Sequence, residues 1–441
     1  MRSRFAKARE SFWFLPALLG IAAVALAQSL IVIDRRLDGT DFGVWGVFLY
    51  RVGASGSRDI LGAIGGSMLA VAATSFSITI SVLATASSTY GPRLVRNFMA
   101  DRGNQFVLGI FGATFLYSLM VLRSIRSEST DGVTFVPDIA VNVAVILAVV
   151  DVAVLVYFIH HIADSIQVST LSARVRSELV TVVDALYPES PDEHQVPARA
   201  PATTGVEVRA STPGFVVSVH EAGVLSAAHS CDGVVELLVC AGDHVIAGET
   251  IARITGTDST SDIADAVRSA VDTGDTRTPA QDISFAVQQL TEMAVRAMSP
   301  STNDPYTARN ALAELAVGLV PLASRPAPLL GRTDEQGTYR LTVNRPPVTD
   351  LIDQVFDAMR HYGLGNPIAV IAAAELARRI GTATVHSEIR DCVLRQLAAL
   401  RRAYEHSDAD PIDIEAGRVR IVAASTAITA STIEHADRSS S

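Results

Sequence analysis

Four long apolar runs occupy the first 160 positions, and beyond them the pattern changes to short alternating segments and amphipathic stretches. The runs cover about 11–33, 60–86, 105–122 and 139–159. Each approaches or exceeds the roughly 20 residues that a helix needs to cross hydrocarbon. Pro16 sits near the start of the first run, where a missing N–H is tolerated. A cleaved signal peptide is the rival reading there, because Arg2, Arg4, Lys7 and Arg9 precede the run. The apolar stretch is long for a signal and no small-x-small cleavage site follows it, which favours a retained helix. Four spans put both ends on one side, and the basic cluster before the first span assigns that side to the cytoplasm.

The second run has a pattern of its own. In SMLAVAATSFSITISVLATASS, residues 67–88, nine of 22 positions are Ser or Thr. Steps of seven connect Ser67, Thr74, Ser81 and Ser88, and Ala63, Ala70, Ser77 and Ala84 complete a stripe of small side chains. Leu69, Phe76, Ile80 and Leu83 lie off it. Such a ridge serves either close helix packing or a water-contacting wall along a path for solute or ion. Both uses predict that it is buried inside a bundle. Asp151 falls near the middle of the fourth run, where an ionisable group is expensive and by default a functional candidate; Thr114 and Tyr117 on the third run are its candidate partners. His160 and His161 follow at the membrane boundary, and His160 shares a helix face with Asp164. A metal site needs more ligands than these, so interfacial histidines are the plainer reading.

Helical spacing continues through Ile162, Ile166, Val175, Leu179, Val182 and Leu186, which predicts a connecting helix over 160–187 continuous with the fourth span. A Pro- and Ala-rich linker follows at 188–205. Residues 206–255 alternate Val, Ile and Leu with polar residues between glycines, the signature of short strands. GVVELLVCAGDHVIAGETIARI (233–254) resembles one half of a lipoyl/biotinyl-type barrel-sandwich domain, with PGFVVSVHEAGVLSAA (213–228) as a second strand pair. Lys7 is the sole lysine, so that resemblance implies a fold and not a carrier function. Residues 256–441 read as mainly helical, with a hairpin near 338–345 and helices near 259–272, 283–297, 349–361, 367–380, 384–405 and 420–433.

Composition narrows the chemistry. Of 441 residues, 49% are hydrophobic and 19% charged, and the formal charge of −10 resides in the soluble part: residues 1–165 carry +2 and the remainder −12. An acidic soluble half is a poor partner for nucleic acid. The lysine shortage removes P-loop, kinase and Schiff-base lysines from that half. Cys231, Cys240 and Cys392 have no metal-ligand or CxxC spacing. No GxSxG, HExxH or P-loop is present, so no catalytic residue, metal or cofactor is assigned. One candidate binding feature remains. Asp304-Pro305 has the order of an N-cap followed by a first-turn proline, and Arg309 and Arg277 lie close enough in sequence to hold a small anion at that helix start. The plainer alternative is that Asp304 only caps and the arginines meet local carboxylates.

SPSTNDPYTA with the preceding RTPAQDISFAVQQL, together with SFSITISVLATASSTYGPRLVRNF (75–98), YFIHHIADSIQ (157–167) and TDEQGTYRL (333–341), resembles the bacterial membrane-protein family called domain of unknown function (DUF) 2254. The resemblance implies an architecture and no established activity. The expected fold is an α-helical polytopic membrane domain of four transmembrane helices, followed by an α+β cytoplasmic region that contains a small lipoyl-like barrel-sandwich β domain and a helical domain. The leading functional expectation is a symmetric homo-oligomeric, channel-like or transport protein of the bacterial inner membrane, in contact with the bilayer and with a small ion. A membrane-anchored sensor or scaffold that binds a small anion is the alternative, and a membrane enzyme a third.

Overall fold

The computed structural model describes residues 13–37, 53–90, 101–126, 135–165 and 167–439, with side chains omitted for 86–90, 165 and 432–439. The chain divides into two compact units, residues 1–170 and 171–441.

The first unit contains α1 (Phe14–Leu37), α2 (Ala54–Tyr90), α3 (Arg102–Ser124) and α4 (Asp138–Ser165). All four are long and apolar enough to cross a membrane. α3 is the hub and packs along α1, α2 and α4. Close approach is allowed where side chains vanish: Gly109 of α3 lies against Pro16 and Leu19, and Gly20 of α1 against Leu116. The interior has two apolar clusters. One joins Ala27, Leu61, Tyr117, Val121, Ala140 and Ala144; the other joins Val107, Phe111, Phe158 and Ile162. Helix ends are fixed by side chains from afar. Both carboxylate oxygens of Asp34 accept from the Ile139 and Ala140 amides at 3.0 Å, an N-terminal cap for α4 supplied by α1. Tyr117 donates to the Ala140 carbonyl at 2.9 Å.

The expected continuous helix from membrane to soluble part is instead two helices. α4 ends at Ser165 and α5 spans Val168–Leu186. Gln167 forms a tight turn with Asp164, its amide donating to the Asp164 carbonyl at 3.2 Å and its side chain to the Asp164 carboxylate at 3.2 Å.

The second unit is mixed helix and sheet. Its strands are β1 (Gln195–Val196), β2 (Val206–Arg209), β3 (Gly214–Val219), β4 (Val234–Leu237), β5 (His244–Val245), β6 (Thr250–Thr255), β7 (Val271–Gly274), β8 (Gly331–Thr333) and β9 (Tyr339–Thr342). They form a six-stranded sheet in the order β1-β8-β9-β4-β6-β2 and a three-stranded sheet in the order β5-β3-β7. The sheets do not close into a barrel, so the barrel-sandwich expectation is corrected. Two helices, α6 (Glu221–Ser230) and α7 (Thr260–Ala270), pack with the strands around Val224, Val235, Ile254, Ile263 and Leu341. α6 occupies sequence expected to be a second strand pair. Glu221 is held there by guanidinium donors from Arg332 and Arg345, more than a hundred positions away. A hairpin forms from β8 and β9 and so covers 331–342, earlier than the expected 338–345, with Gly337 at φ 77° in its turn. Beside it Asp334 accepts from Arg340 at 2.8 Å, His229 at 2.9 Å and the Thr338 amide at 2.8 Å. These donors hold its carboxyl well below the usual carboxylate range, the Arg340 hydrogen bond foremost.

The remaining helices are α8 (Ile283–Ala297), α9 (Pro305–Ser324), α10 (Val348–Tyr362), α11 (Pro367–Ala383), α12 (Ser387–Glu405) and α13 (Pro411–Ser439). Ile283, Ala286, Leu290, Met293 and Ala297 recur at helical spacing along α8, and every one of them is buried. Arg325 closes the end of α5: its guanidinium donates to the Val183 and Tyr187 carbonyls at 3.0 and 2.8 Å and to Asp184 at 2.5 Å. α5 lies on α9 at Gly318, where an added Cβ would come 2.5 Å from Leu179 Cγ. Gly318→Ala is therefore expected to destabilise this unit by about 1–3 kcal/mol, the usual range for overpacking. A thermal melt of the purified protein measures it.

Candidate functional site

α2 contacts its own bundle along Leu61, Gly65, Ser75 and Thr79, all buried. The ridge of Ser67, Thr74, Ser77 and Ser81 is offset by two positions, about 200° around a helix of 100° per residue. All four are exposed, as are Ala63, Ala70 and Ala84; the side chain of Ser88 lies outside those described. The expectation of burial is corrected for the single chain, since the ridge points away from the chain's own helices. Two of its hydroxyls nonetheless find acceptors within α2. Ser67 donates to the Ala63 carbonyl at 2.6 Å and Thr74 to the Ala70 carbonyl at 2.9 Å. That pattern removes the unsatisfied donor which would make hydrocarbon exposure costly.

Inside the bundle, Asp151 lies on the buried stripe of α4, between Ala144 and Phe158, and so between the two apolar clusters. It is 1% exposed. Thr114 of α3 is directed at it, yet neither carboxyl oxygen completes a hydrogen bond of normal geometry. Ser118, one turn from Thr114, is fully buried with its hydroxyl likewise unpaired. Tyr117, the other candidate partner, is engaged by Ala140. This polar layer holds the buried unpaired groups of the membrane unit that lie deepest from its ends.

His160 pairs with Asp164 at 3.2 Å, both exposed. His161 lies 3.1 Å from Asp101, stacks on Tyr157, and so joins α4 to the residue that caps α3 through the Gly103 amide at 2.7 Å. Both histidines have local structural partners.

In the second unit, Arg277 grips Asp282 with two hydrogen bonds of 2.7 Å, reaches Gln288 at 2.9 Å and covers the Phe285 ring. Asp282 is 1% exposed and caps α8 through the Phe285 amide at 2.9 Å. Asp304 caps α9, accepting from the Thr307 hydroxyl at 2.6 Å and amide at 3.1 Å. These bonds lower its pKa below the usual carboxylate value, the hydroxyl bond most. Arg309 stands apart from both. Its guanidinium lies 5.5 Å from the centre of the Tyr306 ring, and it borders a groove of about 520 Å³ between α9 and α11 lined largely by Leu312, Ala316, Ile371 and Leu376. Neither Arg277 nor Asp304 is on that lining. Across the groove, Glu375 is held ionised by Arg378 and Arg379, its pKa lowered to about 2.

Sequence reasoning missed a second concave region. It is assembled from Tyr187, the segment after α9, the segment before α10 and the start of α12, and no local spacing rule connects such distant pieces.

Among the described residues the fold thus has four helices of membrane-spanning length and a mixed helix and sheet region after them. The chain belongs to the family described as "Predicted membrane protein (DUF2254)", which matches residues 9–379. It is 32% identical over 364 residues to the uncharacterized proteins Mb1321c of Mycobacterium bovis and Rv1290c of Mycobacterium tuberculosis, covering 81% of this chain and 70% of each relative. No solved structure matches.

Proposed function

We propose that this is a homo-oligomeric, channel-like or transport protein of the bacterial inner membrane, with both termini cytoplasmic and the soluble unit assembling or regulating it. The observation that carries the reading is the outward ridge. α2 has the smallest buried share of the four membrane helices, 11% of its most apolar window against 44% for α3. On that open helix, the ridge has only Ala, Ser and Thr where large side chains would suit lipid. Small residues let backbones approach, which fits contact with α2 of another copy, or a wall beside a water-filled path. The orphaned carboxyl of Asp151 is the ion-handling group in this reading. The alternative, a membrane-anchored sensor or scaffold, draws its support from the groove beside Arg309.

Internal hydrogen bonds satisfy Ser67 and Thr74, so self-assembly must be measured and not assumed from their polarity. Native mass spectrometry from nanodiscs is expected to find a single oligomer. Thr74→Leu with Ser81→Leu is expected to weaken self-association about tenfold, or 1.4 kcal/mol, and to lower ion flux in liposomes. A wild type that is monomeric, or that carries no flux, overturns the reading.

A further inference from the structure

The groove between α9 and α11 carries a charge that the fold itself does not use. The two helices pack along each other, yet Ala313, Ala316 and Ala372 stand on the lining where longer side chains would close the gap. The space of about 520 Å³ falls within the roughly 300–1,000 Å³ of small-molecule sites. Leu312 and Leu376 on its lining are buried, and Ile368 and Ile371 are half-buried. Such a trough offers apolar surface that a carbon chain would cover.

Arg309 borders this trough without a carboxylate to meet it. Positions three and four away on α9 are Pro305, Tyr306, Leu312 and Ala313, so no acidic side chain reaches it along the helix. The nearest acids in sequence are engaged elsewhere, Asp304 with Thr307 at 2.6 Å and Glu314 with Arg176 at 3.1 Å. Across the groove, both oxygens of Glu375 accept guanidinium bonds, from Arg378 at 2.8 and 2.7 Å and from Arg379 at 2.9 Å. Among the described residues Arg309 contacts the face of the Tyr306 ring and makes no hydrogen bond or ion pair. The lining thus has two arginines against one glutamate, in a part of the chain whose formal charge after residue 165 is −12. Positive charge gathered beside apolar surface in an otherwise acidic region complements an anion with a carbon body. One free guanidinium matches one carboxylate, because its planar fork donates two parallel hydrogen bonds and balances a single negative charge.

We propose that this groove binds a free carboxylate bearing an unbranched hydrocarbon chain, the head on Arg309 and the chain along the apolar lining of α9 and α11. This names a ligand class for the sensor reading and rests on that reading's groove. It does not depend on how the membrane helices assemble.

The test is thermal unfolding of the full-length protein in a maltoside detergent, with octanoate, acetate, octanol or octylammonium added. Octanoate at about a hundredfold excess over its Kd is expected to raise the melting temperature by roughly 5 °C. Acetate has the head without the chain and should shift it less at equal concentration. Octanol and octylammonium have the chain without the negative charge and should not raise it. Arg309→Gln should weaken octanoate binding about tenfold, which at the same concentration halves the shift. Ala313 is an exposed lining position, so Ala313→Trp obstructs the groove without displacing a buried side chain and should abolish the shift. No shift with octanoate, an undiminished shift in either variant, or an equal rise with octanol overturns the proposal. Equal shifts with acetate and octanoate overturn the chain-bearing ligand and leave a small-anion sensor standing. An octanoate shift in a protein that also carries ion flux in liposomes supports the site and counts against a sensor without transport. A wild type that ignores octanoate, and whose oligomer dissociates in Ala313→Trp, overturns the ligand in favour of a second copy on the groove.

Discussion

Asp282→Ala is expected to lower the unfolding temperature of the second unit by roughly 10 °C. Three separate interactions depend on that carboxylate. It receives both arms of Arg277, it caps α8, and the backbone at Gly242 rests on it so closely that an added Cβ would lie 2.5 Å from Oδ2. Gly242 has φ 103°, so glycine is required there for its backbone angle as well as for space. Removing one partner of a buried ion pair costs about 3–5 kcal/mol, because the other charge is left uncompensated. Loss of an N-cap adds about 1 kcal/mol. At 2–4 °C per kcal/mol for a unit of this size, a loss of roughly 10 °C is at the cautious end. Asp282→Asn keeps a cap acceptor and the shape and should lose about half as much. Arg277→Ala added to Asp282→Ala should cost little more, since the pair is already broken. Additive losses in a melting series would show that the two residues act independently and that the pair is not the source of the stability.

The four apolar helices and most helices of the second unit are legible in the sequence for a simple reason. Hydropathy runs and the stripe on α8 report burial directly, and Asp304 stands where a helix start needs an acceptor. The failures came where the deciding contact is distant. The strand pair expected over 213–228 is strand only at Gly214–Val219; Glu221–Ser230 is helix, and the groups holding its first residue come from Arg332 and Arg345. Residues 420–433 were read as a short last helix, whereas α13 runs from Pro411, with the Ile412 amide accepted by Asp410 at 2.8 Å and Gly417 fitted against the Tyr404 ring.

The candidate sites show the same limit more sharply. Period alone located the small stripe of α2, but α2 has a second small face, Gly65, Ala72, Ser75 and Thr79, and that face meets α3 or the interior. Nothing in a helical repeat says which of two similar faces turns inward. Arg277 and Arg309 were grouped because they are near in sequence to Asp304. The fold engages the first with Asp282 and leaves the second on a groove. Arg325 and Arg345 carried no signal at all, because their common cavity exists only once four segments have folded together.

Asp151→Leu is expected to raise the stability of the membrane unit by about 2 kcal/mol, or roughly 5 °C, against the usual direction of a core substitution. Leucine reproduces the branched outline of aspartate and adds no atom that needs a partner. The position lies on the buried stripe of α4, flanked by Ala144 and Phe158, so its surroundings on that stripe are apolar. On insertion scales the difference between Asp and Leu at the centre of a membrane helix is about 3 kcal/mol, and Thr114 recovers only part of it. A residue that weakens its own fold and yet receives no complete hydrogen bond there is explained by function better than by packing. The same variant should therefore be more stable and lose ion flux in liposomes, while Thr114→Val should lower stability only when Asp151 is present. If Asp151→Leu destabilises the protein in nanodiscs, the buried carboxyl contributes to the fold and the functional reading of it fails.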